Sequence, residues 1–114
     1  MQIVEKSETN KVNPTPGTTI HEYFIDEPSI SGATTEINGR YPEVGFAVNE
    51  VSKELVYIIS GNGHIITPSN ETSFEQSDVI FINKNELFAW QGTFSMFMVT
   101  TPKFDPKQHK VTKI

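Results

Sequence analysis

Hydrophobic and polar positions alternate in short runs along most of this chain, with turn residues between the runs. Side chains that alternate with period two lie on opposite faces of a strand. The pattern predicts strands near 19–25, 30–37, 44–51, 54–60, 64–67, 79–83, 87–91, 94–101 and 109–113. No window sustains a helical period, so little helix is expected. Many short strands at close spacing predict an all-β sandwich or barrel. Residues 7–17, polar and containing Pro14, Pro16 and Gly17, read as a loop, and Gln2–Glu5 alternates weakly enough to pair as a strand. Asn62-Gly63 reads as a tight hairpin turn, because both residues tolerate the positive φ that primed turns require. Gly39, Gly45, Gly61, Gly63 and Gly92 all fall at strand ends in this reading.

Leu55–Ile59, Val79–Ile82 and Met96–Val99 lack the alternation and are apolar on both faces. One face of such a strand fills the core, so the other must be covered as well. The cover is either a second copy of the chain or the loops 7–17 and 102–108. For so small a chain a homodimer is expected.

The chain has 114 residues, which predicts one domain over 1–114: an N-terminal segment 1–17 that is partly loop, and a basic tail 102–114 that could form an edge strand. It contains no cysteine, so disulfides and thiolate metal sites are ruled out. The first residues show no basic stretch followed by an apolar run, and no apolar stretch approaches the ~20 residues of a membrane helix. A cytoplasmic protein with no membrane partner is therefore the expectation. The net charge of −5 argues against a nucleic-acid partner. The charge is uneven: Lys103, Lys107, Lys110 and Lys113 stand against Asp105 in the tail. A charge-protected edge strand accounts for those lysines, the alternative being a contact between the tail and an acidic surface or anionic ligand.

Two stretches carry most of the information. Glu54-Leu55-Val56-Tyr57-Ile58-Ile59-Ser60-Gly61 is a carboxylate entering an apolar strand that ends at glycine. Ser77-Asp78-Val79-Ile80-Phe81-Ile82-Asn83-Lys84-Asn85-Glu86-Leu87-Phe88 follows it. Together they resemble the two motifs of a small single-domain cupin, a jelly-roll barrel or double-stranded β-helix of the RmlC-like superfamily that usually holds a metal. The resemblance covers roughly residues 39–92. Glu54 and Gly61 match the first motif's spacing, which places its two histidine positions at Ala47 and Asn49. The second motif's Gly, Pro, Gly and His positions fall on Ser77, Asn83, Asn85 and Phe88.

The resemblance therefore implies a ligand set of Ala47, Asn49, Glu54 and Phe88. Transition metals in such sites need imidazole and carboxylate donors, and this set offers one carboxylate and one amide. No metal and no other cofactor is expected. Asn49 and Ala47 share a strand face, as do Phe88 and Trp90, so the resemblance implies a barrel mouth with an aromatic wall, one carboxylate and one amide. An apolar wall with a few fixed polar groups is the usual composition of a small-molecule site.

The candidate ligand-binding residues are Asn49, Glu54, Phe88, Trp90, Arg40 and Tyr41, with Glu54 the catalytic candidate if there is one. Each also has a plainer role: Glu54 in a salt bridge with Lys53 or Arg40, Phe88 and Trp90 as core filling, Asn49 satisfying backbone groups. Arg40, the sole arginine, either clamps an anionic ligand or pairs with Glu36 or Glu43. His21, His64 and His109 show no metal-ligand spacing, and His64 and His109 are expected on the surface. The expected function is binding of a small organic molecule in a metal-free barrel. The alternatives are a metal-independent isomerase or epimerase using Glu54 as acid and base, a metal-dependent cupin enzyme with unconventional ligands, and a structural role with a plugged barrel.

Overall fold

Alternation along the chain is realised as two antiparallel sheets in the computed structural model, which describes residues 1–113. The strands are β1 (Asn10–Thr15), β2 (Thr18–Tyr23), β3 (Ser31–Tyr41), β4 (Phe46–Asn49), β5 (Lys53–Thr67), β6 (Asn70–Glu75), β7 (Val79–Ile82), β8 (Ala89–Thr101) and β9 (His109–Thr112). Helix is confined to short 3-10 turns at Lys6–Glu8 and Pro106–Gln108. The large sheet runs β1-β2-β3-β8-β5-β6. β7 pairs with the first part of β5 (Glu54–Tyr57) and β6 with its last part (Asn62–Thr67), so β6 and β7 share one edge of a long strand. The small sheet is β4-β9, and an isolated bridge between Ala47 and Phe88 ties it to the start of β8.

The core follows from the period of β5 and β8. Glu54, Val56 and Ile58 point inward from β5, while Leu55, Tyr57 and Ile59 stay exposed. From β8, Trp90, Phe94 and Met96 are buried. They pack with Ile37, Ala47, Phe74, Ile82 and Phe88 into one cluster. Phe74 meets Trp90 and Phe94 edge-on, with ring centroids 5.6 and 4.8 Å apart, and Phe88 meets Trp90 at 6.3 Å. Burying each such ring contributes on the order of 1.5–3 kcal/mol, with about 0.5–1.5 more from each aromatic pair.

Several sequence expectations are corrected here. Residues 10–15 of the expected loop form β1, an edge strand on β2, where Pro14 is tolerated. Asn62-Gly63 is not a hairpin: β5 runs through it from Lys53 to Thr67, and the reversal comes at Pro68-Ser69. The runs 87–91 and 94–101 belong largely to one strand, β8. The polar run Asn70–Glu75 is a strand that the pattern did not mark, with only Phe74 buried. Gly39, Gly61, Gly63 and Gly92 lie inside these long strands instead of ending them, whereas Gly45 does sit at a strand end, just before β4. Gly39, Gly92 and Gly63 lie side by side on β3, β8 and β5. Gly39 and Gly92 have φ of +128° and +144°, a region open to glycine and strained for other residues. A Cβ on Gly92 would lie 2.5 Å from the Asn62 carbonyl oxygen. A glycine row across neighbouring strands is a device for curling a sheet.

Candidate functional site

The small sheet and the start of β5 bring together the positions that the motif spacing singled out. Ala47 and Phe88 exchange backbone hydrogen bonds of 2.7 and 2.9 Å. Two residues further along β4, Asn49 donates from Nδ2 to Glu54 Oε1 at 3.4 Å. Ala47, Asn49, Glu54 and Phe88 are all buried. Phe88 and Trp90 belong to the core. Of the candidate site residues only Phe88 lines the cavity of about 170 Å³ that it forms with Ile65, Ile80, Ile82, Glu86 and Leu87.

Two further residues complete the group. His109, at the start of β9, pairs with Asn49 in the register of the small sheet. Its Nδ1 lies 2.8 Å from Asn49 Oδ1, and its Nε2 lies 2.8 Å from the Tyr41 hydroxyl. The Tyr41 and His109 rings are stacked with centroids 6.1 Å apart, and Phe104 flanks the imidazole at 5.9 Å. The expectation of a surface His109 is corrected, since pairing with β4 draws it into half-buried contact. His64 is exposed beside Glu71, at 3.4 Å, as expected of it.

The donors and acceptors of this group have one consistent orientation. Asn49 Oδ1 can only accept, so His109 Nδ1 carries the proton. In a neutral imidazole Nε2 is then bare and accepts from the Tyr41 hydroxyl. Every donor points the same way: Tyr41 O–H to His109, His109 N–H to Asn49, Asn49 N–H to Glu54. Burial lowers the His109 pKa and keeps the ring neutral, in agreement with that orientation. An amide does not relay protons, so Asn49 transmits polarity between the two halves while blocking a proton wire.

Glu54 is 6% exposed and forms no ion pair. Among the described residues the one ion-pair contact is His64–Glu71, so the salt bridges considered for Glu54 with Lys53 or Arg40 are not made. Loss of water raises the Glu54 pKa to about 7, and the Asn49 hydrogen bond pulls it partway back. Burial raises the Tyr41 pKa, and the Glu54 charge adds to that effect.

Arg40 stands apart from the group. Its Nη1 donates to the Pro42 carbonyl at 2.7 Å and its guanidinium sits 5.8 Å from the centre of the Phe46 ring. It pairs with neither Glu36 nor Glu43. Gln108, next to His109, is buried and accepts from the Val51 and Ser52 amides at 2.8 and 3.1 Å. It thereby holds the β4–β5 connection between Asn49 and Glu54. Sequence reasoning missed both His109 and Gln108, because only the pairing of β9 with β4 places them near Asn49.

These residues do not fit the metal that the motif resemblance implies. Ala47 and Phe88 offer no donor, and both nitrogens of His109 are engaged by Asn49 and Tyr41. Among the described residues no group of three or more His, Cys, Asp or Glu could hold a metal ion.

No sequence family matches the chain, and neither does any curated protein. Solved structures do match. Pac13 from Streptomyces, described as a nucleoside dehydratase and also solved with uridine, is 18% identical with a TM-score of 0.88; the match covers 100% of this chain and 92% of Pac13. An RmlC-like cupin from Shewanella frigidimarina is 9% identical with a TM-score of 0.76, over 94% of this chain and 96% of that one. Ectoine synthase from P. lautus is 15% identical with a TM-score of 0.76, over 98% and 90%. The chain has the all-β cupin fold, a small jelly-roll domain of the kind expected from its two motifs.

Proposed function

We propose that this cupin-fold chain binds a small hydroxylated organic molecule without a metal, using the polar chain Tyr41–His109–Asn49–Glu54. The observation that carries this reading is a buried carboxyl with a pKa of about 7 at a cupin ligand position. Uncharged partners link it to partly buried Tyr41 and His109. A buried acid left unpaired costs folding free energy, and such groups cluster at functional sites. A cavity of about 170 Å³ on another side of Phe88, lined by none of Tyr41, His109, Asn49 and Glu54, is of the size that accepts one small ring. Phe88 then supplies an apolar wall, with Trp90 supporting it from the core.

The pKa of Glu54 also favours a second reading, in which the bound molecule undergoes proton transfer as in an isomerase, an epimerase or a dehydratase. A carboxyl titrating near 7 can take and return a proton at working pH. His109 and Tyr41 provide a separate acid–base pair on the outer side of Asn49.

Uridine, the molecule seen with Pac13, is the first probe. In an NMR titration of the full chain the expected result is shifts at the Tyr41 ring, the His109 ring and the Asn49 side-chain amide, reduced at least tenfold in affinity by His109→Ala. Shifts confined to other regions, or none with uridine and a panel of hydroxylated acids, overturn the binding reading. If binding holds, Glu54→Gln is expected to remove its pH dependence between pH 5 and 8. Unchanged dependence eliminates Glu54 as the proton-exchanging group.

A further inference from the structure

The outward face of the large sheet carries apolar side chains that none of the described residues covers. Two cross-strand rows define it. Phe81, Leu55 and Val99 lie side by side on β7, β5 and β8, and Val79, Tyr57 and Phe97 form the next row. Leu55 is 49% exposed, Tyr57 46%, Val79 60%, Phe81 57% and Phe97 36%. With Ile59 this makes roughly 600 Å² of apolar surface, taking ~200 Å² per large side chain at about half exposure. A patch of that size is at the upper end of what a monomer exposes, and such patches are often functional.

The segments that might have served as a lid are occupied elsewhere. Residues 10–15 form edge strand β1 on β2. The 102–108 segment docks on Pro28, Ser31 and the β4–β5 connection through Lys103, Phe104 and Gln108.

We propose that this face is the interface of a homodimer in which two copies stack their large sheets face to face. Three features favour a second copy over another occupant. The rows hold no charged residue across β7, β5 and β8, so two chains of net charge −5 meet without placing like charges inside the contact. Phe97 is held in place on this face: it lies over Gly32, whose Cβ would stand 3.0 Å from the ring, and Tyr23 packs edge-on against it at 6.5 Å. A twisted sheet presents the matching twist to its own copy, and stacked sheets lie about 10 Å apart. The area also fits. Polar rows with Lys53 and Thr101 at one border and Ser60, Ser95 and Glu36 at the other extend the patch toward the ~800 Å² per partner of a stable interface. Those borders carry too little positive charge to suit an anionic membrane surface.

Sedimentation equilibrium of the full chain at micromolar concentration tests the proposal. The expected species has twice the chain mass of 12.8 kDa. Leu55→Glu and Phe81→Lys are each expected to weaken the dimer at least a hundredfold while circular dichroism stays β-rich. The absence of cysteine permits a second test that leaves the patch largely intact. Tyr57→Cys is expected to cross-link to its own copy with a short bis-maleimide, while Ser69→Cys, on the β5–β6 turn, is not. A monomeric wild type overturns the proposal. So does a dimer that survives both charged substitutions, or one that cross-links through Ser69→Cys and not Tyr57→Cys.

Discussion

Replacing Glu54 with glutamine should change how stability depends on pH, and the sign follows from the direction of its pKa shift. The side chain titrates near 7 in the folded chain against 4.5 for an ordinary glutamate. The folded state thus holds this proton more tightly than the unfolded state does. Its contribution to stability is fully present below about pH 4.5 and is lost as pH rises through 7. Integrating between pH 5 and 8 predicts a loss of about 2.5 kcal/mol, at ~1.36 kcal/mol per pKa unit. His109 acts in the opposite sense: its lowered pKa means stability is lost as pH falls below its ordinary value. The difference between wild type and Glu54→Gln isolates the carboxyl, because both proteins keep His109. Glutamine retains an oxygen to accept from Asn49, so the variant should match wild type within about 1 kcal/mol at pH 5 and exceed it by about 2–3 kcal/mol at pH 8. Urea unfolding followed by fluorescence suits the purpose, since the single tryptophan, Trp90, is 2% exposed and reports the core. Identical pH slopes for the two proteins, or a variant that is less stable at pH 8, would refute the burial argument.

Further outcomes follow from the same geometry. His109→Ala removes the partners of Asn49 Oδ1 and the Tyr41 hydroxyl and should cost about 1–3 kcal/mol in thermal unfolding. Tyr41→Phe should cost less, since it leaves only His109 Nε2 unpaired, and should shift the His109 titration seen by NMR. Gly92→Ala combines a φ of +144° with a Cβ 2.5 Å from the Asn62 carbonyl oxygen and should lose more than about 2 kcal/mol. Gly39→Ala, strained in φ with nothing within 4 Å, should lose clearly less, and equal losses would rule out the steric part. Asn49→His combined with Phe88→His places imidazoles at two motif positions, one of them the hydrogen-bond partner of Glu54, and should convert the site to stoichiometric zinc or cobalt uptake, read by metal mass spectrometry against the wild type. Failure to bind in a folded double variant would show that these positions do not converge as a ligand set.

Much of this protein was legible because one rule, the period of two, acts locally. It marked the strands that build the core and separated Val56 and Ile58 from Leu55 and Tyr57. The spacing from Glu54 to Gly61 pointed to Asn49 and Glu54, which the fold brings within hydrogen-bond distance. The glycines misled, since Asn62-Gly63 and Gly92 look like strand ends when neighbours are unknown. They are bends in β5 and β8 because their register partners lie in one row across the sheet. The run Asn70–Glu75 carried no apolar signal, and backbone pairing with β5 alone makes it a strand.

The sequence by itself determined an all-β chain with one apolar core, an acidic residue entering a strand at a recognisable spacing, and the loss of the side chains a metal requires. These are matters of side-chain chemistry and local period. Only the tertiary structure decided that Glu54 is unpaired, that Arg40 turns away to Pro42, and that His109 reaches Asn49 from 60 residues along the chain. Such facts depend on which strands meet and how much water remains between them. Neither the closure of β9 on β4 nor the exclusion of solvent from Glu54 is written in any local stretch of residues.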